Sequence, residues 1–395
     1  MTVPAAALRP WLLRPGPATF GMMFATGAFG RALVMTLIPL EAYVLMGNER
    51  NASLMFMSVA LVNLLLGFGV PALIHRFRRR RIYWACGIIA AMGPLFLAMN
   101  MAAMLPLGSL CREFAGTSLL IVQNLYIMDH IKRRDFVRSE PIRLMFQAIA
   151  WGIGPYAGIM LYNRVDPWAA YGVAMAASLA ELLYFHLMGI RDVALVAPRA
   201  AKPRSPLRFI KRFAVQPRLR LAYAIAFSRS CWWVLLNVYG PIYMVKTGAT
   251  PEQGGLVVTC GNLMLFSTMG VGWVARRIGT RLVIMGAFAL SGCATLATAF
   301  AYPSPWAGFG FFVIGALGAV ALDAVGGVVF LRAVRARERP EMTMVYVTFI
   351  QTSQFIPTAV FAILLTLFDF PVIFVATSAL LFWAVWISRH VPRGM

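Results

Sequence analysis

Charge is scarce in this sequence, and negative charge most of all. Asp, Glu, Lys and Arg make up 13% of the 395 residues, with 14 acids against 36 bases. Soluble domains carry roughly 25% charged residues. A water-exposed surface for two or three domains, the number this length allows, cannot be drawn from so small a supply. The scarcity argues at once against a soluble enzyme, a disordered chain, a coiled coil and a disulfide scaffold. Cysteine is also sparse. Cys86, Cys111, Cys231, Cys260 and Cys293 all fall in apolar stretches, without metal-ligand spacing and away from loops that a disulfide could staple. They read as small packing residues. Phosphate-binding loops, HExxH pairs, paired aspartates and serine–histidine arrangements are missing too. No ATP engine, enzymatic reaction, metal or cofactor is therefore expected, and a proton gradient is the expected energy source.

What the sequence does have is apolar length: 60% of its residues are hydrophobic. The expected fold class is all-α, a polytopic membrane protein in which helices satisfy every backbone polar group inside lipid. Crossing the hydrocarbon takes about 20 residues. Twelve such runs are expected, near 18–46, 53–74, 82–104, 106–128, 142–162, 167–189, 219–245, 254–275, 282–302, 306–331, 342–367 and 370–388. The N-terminal stretch MTVPAAALRPWLLRPGP has no cleavage site ahead of a short apolar run, so the first run is expected to stay as a span. The expected organisation is an N-terminal six-helix bundle over 1–190, a cytoplasmic basic linker over 191–218 with a short amphipathic piece, and a C-terminal six-helix bundle over 219–395.

The net charge of +22 would suggest nucleic acid in a soluble protein, but here the bases cluster between apolar runs. One set of loops holds 30 of the 36 bases, the opposite set holds only Arg50, Arg164 and Lys246, and three fall inside spans. By the positive-inside rule both termini are expected in the cytoplasm, with the chain in a bacterial inner membrane. The expected partners are the lipid bilayer and a small-molecule solute, with no nucleic acid and a monomeric state. Anionic lipid or a protein partner is the other reading of the basic linker, beside plain topology.

The two halves echo each other at a nearly constant offset. Pro39 and Pro241 are 202 apart, Pro155 and Pro357 are 202 apart, and Arg76 and Arg277 are 201 apart. Parallel repeats of this kind imply a pseudo-two-fold axis along the membrane normal and a binding cavity at mid-depth between them.

These residues resemble the major facilitator superfamily over the whole chain. The family's loop between its second and third helices reads Gly-x-x-x-Asp-Arg-x-Gly-Arg-Arg. GWVARRIGTR supplies Gly272, Arg277, Gly279 and Arg281, with Arg276 in the acidic position. The first-half copy, PALIHRFRRR, keeps Arg76, Arg79 and Arg80 but has Pro71, His75 and Arg78 in place of the glycine, the aspartate and the second glycine. In the family this loop holds one state through charge pairs, and neither copy here retains the acid. CREFAG is similar to the family's Arg-x-x-x-Gly on helix 4, through Arg112 and Gly116. GIGPYAG is similar to its Gly-Pro-x-x-Gly on helix 5, through Gly154, Pro155 and Gly158, a pattern associated with antiport. The resemblance implies alternating access, with these loop and helix-5 residues in conformational roles. The plain alternative for Gly154, Pro155 and Gly158 is a close-packed, slightly bent helix contact.

Arg31, Arg112 and Arg229 lie within expected spans. A guanidinium at mid-membrane costs at least about 2.5–3.5 kcal/mol and cannot shed its proton. It must meet a wet cavity or a counter-ion. Arg31 and Arg229 fall about one turn apart in the repeat register, on equivalent helices, as in family members that carry organic anions. Either these three arginines hold an anionic solute through their planar fork, or each pairs with a buried acid. Four acids also fall in spans: Glu41, Glu113, Glu181 and Asp323. A carboxyl group in low dielectric can exchange a proton near neutral pH, so all four are candidates for proton coupling. The alternatives are that Asp323 is the counter-ion of the basic stretch 332–339 and that Glu181 caps against the linker. Tyr43, Phe114, Trp232, Trp233 and Tyr239 are candidate cavity aromatics, although membrane aromatics more often face lipid or a neighbouring helix.

The function expected is a secondary active transporter for a small organic solute, anionic and proton-coupled, near Arg31, Arg112 and Arg229. A proton-driven exporter of lipophilic cations or neutral drugs would need an exposed acid and a greasy cavity. A non-transporting sensor or scaffold would bind ligand without net flux.

Overall fold

The computed structural model describes residues 16–130, 133–190, 206–334 and 339–392. Every regular element among them is helical. The first part contains α1 (Pro17–Leu33), α2 (Leu37–Leu45), α3 (Glu49–Arg76), α4 (Arg79–Ala98), α5 (Met104–His130), α6 (Arg133–Arg164) and α7 (Pro167–Met188). The second contains α8 (Pro206–Val215), α9 (Pro217–Val234), α10 (Gly240–Lys246), α11 (Pro251–Leu263), α12 (Thr268–Ile278), α13 (Thr280–Ala301), α14 (Pro305–Ala333), α15 (Arg339–Tyr346), α16 (Phe349–Leu367) and α17 (Val372–Ser388). Most of the expected linker, 191–205, lies outside the described residues; its amphipathic piece is α8, which buries Phe209 and Phe213 one turn apart.

Proline sets many of the helix starts. Pro17, Pro167, Pro217, Pro251 and Pro305 occupy the first positions of α1, α7, α9, α11 and α14, where the missing N–H leaves no bond unmade. Asp166 caps α7 by accepting from the Trp168 N–H at 2.7 Å, and Thr250 with Gln253 forms a capping box on α11.

Nine helical spans among the described residues are long and apolar enough to cross a bilayer, or ten if Pro251–Ser267 and Gly270–Ile278, bent by 53°, count as one. The first joins α1 to α2 over Ala18–Leu45 and the sixth joins α9 to α10 over Pro217–Lys246. The other two expected spans fall on α6, whose first turns carry side chains outside the description, and on the 17-residue α17. Large apolar side chains such as Phe300, Leu367 and Trp386 stand exposed, as a lipid-facing exterior requires.

Both composite spans are irregular at corresponding positions. α1 ends at Leu33 and α2 resumes at Leu37, while α9 passes through a π-helical turn, Leu235–Tyr239, before α10. Shifted by the repeat offset of 202, the break at 34–36 lands on 236–238. The cause is shared: Pro39 gives Met35 no N–H partner and Pro241 gives Asn237 none, and each ring crowds that carbonyl.

The chain forms two compact units: residues 1–38 with 62–200, and residues 39–61 with 201–395. In the first, Phe20, Phe24, Tyr83, Tyr126 and Phe185 form an aromatic core, with Tyr83 stacked on Phe185 at 3.9 Å. In the second, Tyr243 is ringed by Phe312, Phe370 and Phe374 and donates its hydroxyl to the Ser304 carbonyl at 3.0 Å. Gly318 lets α14 approach α13 until the Ala287 carbonyl and Ser291 sit where a Cβ would be.

Candidate substrate-binding and coupling site

In the first unit the charged residues gather around α1. Gly27 and Arg31 are one turn apart and share a face. Glu181 of α7 reaches that face at Gly27, where an added Cβ would overlap its carboxylate. The carboxylate, 2% exposed as a residue, accepts from Tyr83 of α4 at 3.0 Å and from Gln123 of α5. Gln123 also donates to the Tyr83 hydroxyl at 3.0 Å. Glu181 therefore meets α1 one turn before Arg31. It sits inside the α4–α5–α7 core, bonded by two side chains; the linker residues 191–205 that it was alternatively expected to cap lie outside the described residues. Tyr83 and Gln123 were not singled out from the sequence. The available signal was an amide, Gln123, in the middle of the apolar run SLLIVQNLYIM.

The family-like motifs of this half acquire a physical meaning on α1. Arg112 donates to the Arg31 carbonyl at 3.4 Å and pairs with its neighbour Glu113. Gly116, four residues on, leaves room for Arg31, whose Cδ would lie 3.2 Å from an added Cβ. On α6, Gly154 faces Ala32, and Gly158 faces the Leu33 carbonyl so closely that no side chain fits. Both motifs thus converge on Arg31, Ala32 and Leu33, the last turn before α1 breaks. Pro155 is buried between those two glycines.

In the second unit Arg229 of α9 forms an ion pair with Asp323 of α14 at 2.9 Å. The other carboxylate oxygen of Asp323 accepts from the Trp233 indole N–H at 2.9 Å. The guanidinium also lies over the Phe349 ring, 5.4 Å from its centroid, and donates to Ser230 at 3.4 Å. Tyr346 stacks on Phe330 at 3.9 Å and meets Phe349 edge-on at 5.1 Å. The pair is not sealed: the Arg229 and Asp323 side chains are 17% and 27% exposed. Asp323 of α14 is thus the ion-pair partner of Arg229 of α9, and part of the basic stretch 332–339 that it was expected to counter lies outside the described residues.

The remaining candidates are placed as follows. Trp232 is fully buried, with its indole N–H on Thr295 at 3.0 Å. Tyr239 is fully buried, and its hydroxyl meets Ser53 at 2.7 Å. Tyr43 packs, partly buried, against the core of the same unit. Glu41 is buried on α2. Trp233 donates its indole N–H to an ion pair. An ion pair that the sequence reading did not connect, Lys246 with Glu49, joins α10 to α3, and Lys246 also lies 5.2 Å over Phe370.

The two motif loops differ for a backbone reason. Gly279 joins α12 to α13 at φ +89°, a region open to glycine. Arg78, at the matching place between α3 and α4, has φ −63° and ψ 135°, which any residue adopts. Arg277 stacks on Trp273 at 3.9 Å, a Cβ added at Gly272 would lie 3.8 Å from the Arg276 guanidinium, and Arg281 stands partly exposed in the first turn of α13. Arg76 lies 5.9 Å over Phe77. No group of three His, Cys, Asp or Glu gathers as a metal site among the described residues.

The model of the Major Facilitator Superfamily matches residues 20–263, more than half of the chain. The chain belongs to the major facilitator superfamily. It is a membrane transporter and not an enzyme. Two solved structures of the nucleoside transporter NupG share its fold. The aspartate-to-alanine mutant superposes with a TM-score of 0.72 at 13% identity, covering 94% of this chain and 99% of that one. The other superposes at 0.69 with 12% identity, covering 94% and 98%. No curated protein sequence matches the chain.

Proposed function

We propose that this superfamily member is a secondary active transporter for a small organic anion, driven by protons through alternating access, with Arg229, Asp323 and Trp233 at its centre. The carrying observation is the half-open Arg229–Asp323 ion pair. A permanently cationic pocket would hold an anion at any pH. Here Arg229 is already neutralised by Asp323, and the Arg31–Arg112 group stands beside Glu113 and Glu181. Positive charge becomes available only when an acid takes up a proton. A solute carboxylate or phosphate then replaces the Asp323 carboxylate on the guanidinium fork, and Trp233 releases its indole N–H to the incoming group. Proton and anion enter together, and the local charge sum stays unchanged. Arg31, Arg112, Glu113, Glu181 and Glu41 are proposed as supporting charges, and the motif glycines and arginines as conformational elements.

The charge balance, the aromatic surround of Phe349 and Tyr346, and the likeness to a nucleoside transporter favour one second reading. In it an uncharged, hydroxyl-bearing ring solute bonds the intact ion pair and stacks on the rings.

Counterflow in liposomes separates the two. With labelled monocarboxylates and organic phosphates, wild-type uptake rises on acidification, Arg229→Ala loses it at least tenfold, and Asp323→Asn keeps exchange but loses the pH response. Nucleoside counterflow with no anion counterflow in the wild type would replace the first reading by the second. Ligand binding without flux of either class would turn both toward a sensor.

A further inference from the structure

Two adjoining open clefts lie on the second unit, of about 400 Å³ and 420 Å³. Ala224 of α9 and Trp383 of α17 line both, so they form one groove among α9, α16 and α17. Its two ends differ in chemistry. At one end stand Arg218, Arg220 and His390; toward the other the walls are Phe227, Ile356 and Leu380. Arg218 and Arg220 are exposed and form no ion pair among the described residues, and no acid lines either cleft.

We infer that this groove holds an anionic phospholipid of the surrounding bilayer, with its phosphate on Arg218, Arg220 and His390 and one acyl chain along the apolar walls. The dimensions agree. From Pro217 to Phe227 the helix rises about 15 Å at 1.5 Å per residue, which is half of a hydrocarbon core about 30 Å thick. The basic end therefore falls at headgroup level and the apolar end near mid-bilayer. Trp383 and Trp386 stand exposed along α17 beside the groove, where amphipathic rings suit the interface between chain and headgroup. A basic pocket between membrane helices offers a lipid phosphate both charge and a dry chain channel, whereas a free phosphate gains nothing from the apolar walls. The groove is separate from the Arg229–Asp323 pair and does not depend on the transport reading.

The test uses the purified full-length protein in neutral detergent, titrated with dioleoyl phosphatidylglycerol or dioleoyl phosphatidylcholine and read by native mass spectrometry. Phosphatidylglycerol adducts are expected at about tenfold lower lipid concentration than phosphatidylcholine adducts. The Arg218→Ala/Arg220→Ala double variant should bring the two lipids level, and inorganic phosphate should not displace the bound lipid. A phosphatidylglycerol carrying a photoreactive acyl chain should label peptides of α9, α16 and α17 in the wild type, which decides the matter even if the double variant fails to fold. Equal retention of the two lipids, displacement by inorganic phosphate, or labelling confined to other helices would overturn the proposal.

Discussion

Glu181 shows how one residue organises a half-molecule. Its carboxylate satisfies a tyrosine and an amide and requires a glycine at position 27 to fit at all. Removing one member of such a network strands the others, because a buried polar group without a partner costs about 1–3 kcal/mol and a stranded buried charge more. Glu181→Leu is expected to lower stability by about 3 kcal/mol and Glu181→Gln by about half of that, since the amide still accepts from Tyr83. Unfolding by denaturant titration in detergent measures both. Equal losses would mean that volume, not the carboxylate, matters at this site. Arg31 and Glu181 were both visible as isolated charges in apolar runs. That Glu181 meets α1 at Gly27, one turn before Arg31, was not, because position 31 and position 181 carry no shared local pattern. The same holds for Arg229 and Asp323, whose ion pair closes across 94 residues of chain.

At the scale of elements, proline and glycine account for most of the departures from plain helix. The breaks at 34–36 and 235–239 each precede a proline at the same repeat position. The two halves therefore share a weak point on their first span even though one realises it as a gap and the other as a π turn. The α12–α13 turn depends on Gly279, and the α3–α4 turn does not depend on Arg78. Gly279→Ala meets no atom within 4 Å, so its cost is conformational alone, about 1–3 kcal/mol for a non-glycine residue held at φ +89° and ψ 146°. Arg78→Ala should stay within about 0.5 kcal/mol. Thermal unfolding of the two variants side by side checks the difference, and equal shifts would show that the Gly279 turn relaxes. The degenerate first-half motif was readable letter by letter. Why it tolerates arginine required the backbone angles.

At the scale of the whole molecule, composition already dictates a membrane exterior, and exposed side chains such as Phe300 and Leu367 bear it out. The imbalance of bases between loops predicts which side each faces. A phosphatase fusion after Gly248 should be active, since that enzyme folds only outside the cytoplasm, and a fluorescent-protein fusion within 191–205 should be bright. The reverse pair of results would invert the orientation. The groove on α9, α16 and α17 also belongs to this scale. Its basic end looked like ordinary topology in the sequence and became a pocket only when α9 and the end of α17, more than a hundred residues apart in the chain, stood together.

Sequence alone determined the class of this protein, its apolar spans, the repeat offset and the residues whose charge has no business in lipid. Those are consequences of local chemistry, because a run of apolar side chains and a stray guanidinium keep their solvation costs whatever the chain does elsewhere. Tertiary structure alone decided which acid neutralises which base, which aromatics are sealed in the core, as Trp232 and Tyr239 are, and that Trp233 touches a charge. Pairing is a matter of distance between helices far apart in the chain, and the periodicity of a helix says which face a residue takes but not what waits opposite it.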